Sequence, residues 1–210
     1  PMLIGQQLGL GLQTPSTSSV LQAAGQEDGN NWAVGGYTTS QIFNSITAVG
    51  GSATGLRTRD GYLISTGGRA DPNALYYVNG GGNDFLQVLI NPFAPPAVAT
   101  QQAQAAAGRL IDSVEALSAS GARYIMVSLL PDVGATPNAA ALGQIFPALP
   151  ATITGLVGDF NAELVAQLRG IDAEIIPLNN PLLLSEVMAD PGIFGFDATQ
   201  ELSATCFDCA

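Results

Sequence analysis

Two glycine-rich loops hold the residues of this sequence best suited to chemistry. One is Asn79-Gly80-Gly81-Gly82-Asn83-Asp84 and the other is Gly35-Gly36-Tyr37, and each follows a short apolar run. Glycines after a strand can cradle a phosphate. Here no further glycine falls at the offset that G-x-G-x-x-G requires, and no Lys-Ser/Thr pair completes a P-loop. A tight glycine turn does allow the Asn83 side-chain amide to be presented at the top of a sheet. A fixed N–H donor there stabilises a developing oxyanion by roughly 3 to 4 kcal/mol. The alternative is that Asn83 and Asp84 cap a helix beginning near Phe85, and that Gly35-Gly36 is a strand-to-helix turn with Thr38 or Thr39 as N-cap. Taken together, a backbone N–H from Gly36 and the amide of Asn83 converging on one point would form an oxyanion hole.

Positioning such loops requires strands, and four short runs qualify: Asn31 to Val34, Ala74 to Val78, Arg123 to Leu130 and Glu174 to Leu178. Between the second and third, Ala103, Ala106, Leu110, Val114 and Leu117 recur at three- and four-residue steps and Gly121 follows, which predicts an amphipathic helix with a glycine C-cap. Between the third and fourth, Ile153, Leu156, Phe160, Leu164 and Leu168 repeat the pattern before Gly170. Strands separated by helices imply right-handed βαβ crossovers and a mostly parallel sheet with helices on both faces. The near-continuous apolar run from Tyr124 to Leu130 predicts a strand buried on both sides. Ligands in such sheets bind beyond the carboxyl ends of the strands, which is where both glycine loops fall.

Composition removes other chemistries. The 210 residues are 47% apolar and 11% charged, enough to bury a sizeable core, and the formal net charge is −11. All six basic residues are arginines, and neither lysine nor histidine occurs. Histidine metal sites and Ser-His or Cys-His pairs are therefore outside the reach of this chain alone. Scattered arginines on an acidic protein do not make a phosphate-neutralising patch, so no nucleic-acid partner is expected. Cys206 and Cys209 form a lone C-x-x-C. A small disulfide loop, or half of a longer one, fits better than a zinc or redox site and favours an oxidising compartment.

The runs Asn31-Trp32-Ala33-Val34-Gly35-Gly36-Tyr37-Thr38 and Asn79 to Phe85 resemble the second and third sequence blocks of the SGNH (GDSL) hydrolase family, most closely the esterase passenger domains of bacterial autotransporters. The likeness continues through Arg57 to Leu63, Tyr124 to Asp132, Phe160-Asn161-Ala162-Glu163-Leu164, Pro181 to Leu184 and Thr205-Cys206-Phe207. It implies a three-layer α/β/α, flavodoxin-like domain that hydrolyses carboxylic esters through a serine nucleophile, a histidine base and an orienting aspartate. Residue by residue, the oxyanion-hole glycine is Gly36, the oxyanion-hole asparagine is Asn83, and Asp84 is a structural partner that fixes the loop.

The family's G-D-S-x and D-x-x-H motifs do not occur here; Asp112-Ser113 lies inside the long helix and lacks the preceding glycine. Residues 1–210 are accordingly expected to be one partial SGNH domain without its first central strand, beginning after the first block and ending before the fifth. Alone it is expected to be inactive, and marginally stable or aggregation-prone, without a cooperative melt above about 50 °C, a typical mesophile midpoint. The implied substrate is a small-molecule or lipid ester, with no metal or organic cofactor. The implied setting is secreted or at the cell surface, with an outer-membrane β-barrel linked to the full-length protein. The alternative is a non-catalytic α/β binding or surface-structural domain. Arg57 and Arg59 before Asp60 either shape a substrate mouth or pair as exposed charges.

Overall fold

The computed structural model describes residues 7, 9, 32–50, 60–90 and 95–197, the side chains of 87–90 excepted. In chain order the elements are α1 (Thr39–Thr47), α2 (Tyr62–Ser65), β1 (Leu75–Val78), α3 (Gly82–Ile90), α4 (Pro96–Ala119), β2 (Tyr124–Ser128), α5 (Pro137–Gly143), α6 (Leu149–Leu168), β3 (Glu174–Leu178) and α7 (Asn180–Ala189). Short 3₁₀ turns lie at Val133–Ala135 and Pro191–Phe194. The strands form a wholly parallel sheet in the order β1-β2-β3, with Leu75 opposite Tyr124 and Tyr124 opposite Glu174. Three of the four expected strands are thus present, each within a residue or two of its expected bounds.

The long helix α4 owes its start and stop to local chemistry. Pro96 occupies the first turn, where its missing N–H has no partner to lose. At the other end Gly121 takes φ 108°, which L side chains rarely adopt. The Ala122 N–H then donates to Leu117 O at 3.0 Å and the Gly121 N–H to Ser118 O at 2.9 Å, the paired bonds of a Schellman stop.

Both crossovers step in the same direction across the sheet, so right-handedness places α4 and α6 together on one face. There Val78, Ile125 and Val127 join Leu110, Val114, Ile153, Phe160 and Leu164 in the core. Alanines at 99, 103, 106 and 107 let α4 approach its neighbours closely. On the other face, Leu75, Tyr77, Tyr124 and Ile176 are each at least 40% exposed among the described residues. The expectation that β2 is buried on both sides is therefore met at Ile125, Val127 and Ser128 but not at Tyr124.

The expected strand from Asn31 to Val34 also differs. Asn31 lies outside the described residues, and 32–34 make no strand. Trp32 docks by its ring instead: it meets Tyr62 edge-on at 5.4 Å, Tyr62 meets Tyr76 of β1 at 5.7 Å, and the two tyrosine hydroxyls bond at 2.8 Å. Burial and the bond to Tyr62 push the Tyr76 phenol upward, which keeps it protonated. Aromatic packing thus links Trp32 to β1 through Tyr62.

Glycine substitutions separate close approach from helix propensity. A Cβ at Gly81, where φ is 107°, would stand 2.9 Å from Phe160 Cζ. Gly81→Ala is expected to cost about 2 to 4 kcal/mol, combining left-handed strain with overpacking. Gly155 and Gly158 in α6 would meet nothing within 4 Å. Alanine at either should stabilise by about 0.5 to 1 kcal/mol. Urea unfolding midpoints of the three variants check both signs.

Candidate active site

The site begins where β1 hands the chain to α3. Gly80 and Gly81 lie against neighbouring helices: a Cβ at Gly80 would stand 2.5 Å from Ile42 Cδ1 and 3.2 Å from Leu110 Cδ1, so those side-chain ends would have to shift. These contacts press the turn down onto the core. The chain therefore enters α3 at Gly82, with Phe85 N–H donating to Gly81 O at 3.2 Å and the Phe85 ring meeting Phe160 edge-on at 5.6 Å. Asn83 and Asp84 emerge in the first turn, at the carboxyl end of β1.

Their side chains reach the other glycine loop. Asn83 Nδ2 donates to Tyr37 O at 2.9 Å, across 46 residues of chain. Since Tyr37 follows Gly36 directly, this bond sets the Asn83 amide beside the Gly35-Gly36 turn. Gly36 is exposed and adopts φ 84°, and no acceptor among the described residues takes its N–H. A side-chain amide has two donor hydrogens, so Asn83 retains one for an oxygen placed between the loops. Asn83 is thus tied to the residue that follows Gly36.

Asp84 does not only serve its own helix. Its Oδ2 accepts from the Thr39 N–H at 3.0 Å and its Oδ1 from the Thr39 hydroxyl at 2.9 Å. Thr39 opens α1 and is buried. Asp84 therefore fastens the start of α1, and with it the end of the Gly35-Gly36 loop, to the start of α3. Thr38 is the N-cap of α1, its N–H donating to Gln41 Oε1 at 2.9 Å. Burial raises the Asp84 carboxyl above the usual carboxylate range, opposed by the two bonds from Thr39.

A third loop, after β2, packs against the Gly81-Gly82 turn. Leu130 is gripped at both backbone groups by Asn161 of α6: its N–H donates to Asn161 Oδ1 and its carbonyl accepts from Asn161 Nδ2, both at 2.8 Å. Seven residues earlier on the same helix, the Thr154 hydroxyl donates to Asp132, whose Oδ1 also accepts from the Gly134 N–H at 2.8 Å. On the sheet's other face, buried Ser128 accepts from Asn180 Nδ2 and, at 3.4 Å, from the Tyr77 hydroxyl. Sequence reasoning gave these asparagines no role of their own. The signal for Asn161 is a polar residue directly following the core-facing Phe160 on an amphipathic helix.

Arg57, Arg59, Cys206 and Cys209 lie outside the described residues. Asp60 accepts from the Gly50 N–H at 2.6 Å, so it caps a turn. Among the described residues no group of His, Cys, Asp or Glu is placed to hold a metal.

A parallel α/β sheet with glycine loops beyond the carboxyl ends of its strands is an architecture that binds ligands at those loops. The family model for GDSL-like lipase/acylhydrolase matches residues 4–183, and the chain belongs to this GDSL/SGNH hydrolase family. It is 55% identical over 217 residues to Esterase EstA of Pseudomonas aeruginosa, covering 99% of this chain and 32% of that protein. It is 51% identical to an uncharacterized protein of the trpE-trpG intergenic region of Pseudomonas putida, covering 98% of this chain and 34% of that one. A more distant relative is Lipase 1 of Photorhabdus luminescens, 35% identical over 64% of this chain and 18% of its own length. The chain thus spans about a third of the length of its esterase relative.

The raised carboxyl gives a signed expectation. The folded state binds the Asp84 proton more tightly than the unfolded chain does. Its stabilising contribution is therefore fully present below the unfolded pKa and is lost as pH rises through the folded one. Asp84→Asn keeps an acceptor for the Thr39 N–H and should flatten this part of the stability–pH curve. Asp84→Ala leaves both Thr39 donors without an acceptor and should cost about 1 to 3 kcal/mol at neutral pH. Urea unfolding across a pH series checks both.

Proposed function

We propose that this chain supplies the oxyanion-stabilising half of a carboxylic ester hydrolase of the serine acyl-enzyme type. The observation that supports the proposal is the Asn83 Nδ2 bond to Tyr37 O, which ties Asn83, at the carboxyl end of β1, to the residue after exposed Gly36. When a serine attacks an ester carbonyl, charge moves onto the carbonyl oxygen. Donors already aimed at that oxygen hold it without reorganising. In this proposal Gly36 N–H and the second Asn83 N–H are those donors, and Asp84 keeps their two loops in register. The nucleophile and base come from sequence beyond these 210 residues, since the chain has no histidine and no G-D-S-x motif. Proton transfer then belongs to the complete protein, and no metal or organic cofactor enters.

The substrate class follows from family membership and from the lipase and esterase names of the relatives: a small-molecule or lipid ester. The acidic, lysine-free composition and the C-x-x-C spacing of Cys206 and Cys209 support a secreted or cell-surface setting, with linkage to an outer-membrane β-barrel part of the same proposal. Among the described residues no helix is long and apolar enough to cross a membrane.

Short-chain p-nitrophenyl esters test the proposal. The 210-residue chain should give no turnover, and a protein extended to the length of the esterase relatives should. In the extended protein Asn83→Ala is expected to lower kcat by about a hundredfold or more with KM nearly unchanged, because the amide acts on the transition state. An unchanged kcat returns Asn83 to a loop-capping role and favours the ligand-binding alternative.

A further inference from the structure

Asn161 spends both ends of its amide on a single backbone residue. Its Oδ1 accepts from the Leu130 N–H and its Nδ2 donates to the Leu130 carbonyl, both at 2.8 Å, with 31 residues between them. Leu130 stands two residues past the end of β2, where the sheet ladder has stopped and the next residue, Pro131, has no N–H to offer. Without Asn161 these backbone groups, on a residue 5% exposed, would lack a partner. The clamp therefore fixes where the Leu130 side chain goes.

That side chain lies on the glycine turn. A Cβ at Gly81 would stand 3.4 Å from Leu130 Cδ2, and one at Gly82 would stand 3.8 Å from Leu130 Cδ1. Phe160, the residue before Asn161, covers the same turn: its ring lies 2.9 Å from where a Cβ at Gly81 would stand. One turn of α6 thus meets the Gly81-Gly82 turn twice, once by direct ring contact and once through Leu130. Asn83 is the next residue. The turn has no side chains of its own to resist displacement, so what presses on it decides where the Asn83 amide points.

We infer that Asn161 is a positioning residue for the Asn83 amide, acting through Leu130 and the Gly81-Gly82 turn. The functional consequence rests on the esterase proposal, but the geometric claim stands on this chain alone and is tested on it. In Asn161→Asp a neutral carboxyl reproduces both bonds, its carbonyl accepting from Leu130 N–H and its O–H donating to Leu130 O. Once ionised, it faces the Leu130 carbonyl with a second acceptor, and the clamp opens.

Nuclear magnetic resonance of the 210-residue chain reads the Asn83 side-chain amide protons directly. In Asn161→Asp these signals should match the unsubstituted chain at low pH. Above the introduced carboxyl's pKa they should shift, and the Asn83 Nδ2 protons should exchange about tenfold faster than in the unsubstituted chain at the same pH. Asn161→Ser, which empties the clamp without adding charge, should show the displaced signals at every pH. Thr154→Val, which breaks the neighbouring tie to Asp132 but not the clamp, should leave them in place. Native Asn83 signals in both Asn161 variants, or equal displacement in Thr154→Val, would overturn the inference.

In a protein that turns over ester, Asn161→Asp should lower kcat by about tenfold at the ionised end of the pH range, with KM within about twofold. A kcat ratio to the unsubstituted protein that is flat with pH also overturns the inference. Asn83→Ala run beside it keeps the two ideas apart. If Asn83→Ala leaves kcat unchanged, the oxyanion proposal falls while the amide signals still decide the role of Asn161.

Discussion

The close approach at Gly80 and Gly81 is the constraint on which the rest of the molecule depends. Ile42 of α1, Leu110 of α4 and Phe160 of α6 all reach the space that side chains at these positions would occupy. The absence of a Cβ at Gly80 and Gly81 lets the side chains of three helices meet over the end of β1 without displacement. Phe85, buried one turn into α3 and packed edge-on against Phe160, shows the result: α3 begins at once and its first turn sits on the core. Were the turn lifted by one side chain, the helices above it would have to move apart, and with them the residues that bind one loop to another.

Those bonds share a pattern. Asn83 to Tyr37, Asp84 to Thr39 and Asn161 to Leu130 each run from a helical side chain to a backbone group in a distant part of the chain. A hydrogen bond of this kind contributes only about 1 kcal/mol net. Its larger effect comes from the cost of leaving a buried backbone donor or acceptor unmatched, which excludes alternative loop positions. Apolar packing brings the loops within reach, and the polar ties select one arrangement among those that packing permits. Asp84 shows the tension: burial disfavours its charged form, yet that form gives Thr39 two acceptor oxygens.

The helices and most of the sheet were legible because their signals are local and repeated. The three- and four-residue spacing from Ala103 to Leu117 and from Ile153 to Leu168 marks the buried stripes of α4 and α6. Gly121 is likewise the stop that its position suggested. The Trp32 to Val34 segment differs from the strand its composition suggests, and Trp32 meets Tyr62, which in turn meets Tyr76, edge-on. At the site, Gly36, Asn83 and Asp84 were visible through their glycine-rich surroundings. Asn161 had no such marker. Its partner lies 31 residues away, and a single polar residue on an amphipathic helix reads the same whether it faces water or grips a loop.

The Tyr37 carbonyl bears on Asn83 in a way that a count of donors would miss. An asparagine amide can turn over, exchanging its oxygen for its nitrogen at little cost when nothing distinguishes the ends. Here the carbonyl of Tyr37 at 2.9 Å does distinguish them: with the oxygen on that side two acceptors would face each other, so the nitrogen must take it. The second N–H of the same nitrogen is then fixed in direction before any ligand arrives. Electrostatic stabilisation of a transient charge depends on this, because a donor that must first rotate loses part of its advantage to reorganisation. In the proposed hydrolase, the acceptor that occupies one hydrogen of Asn83 is therefore what aims the other.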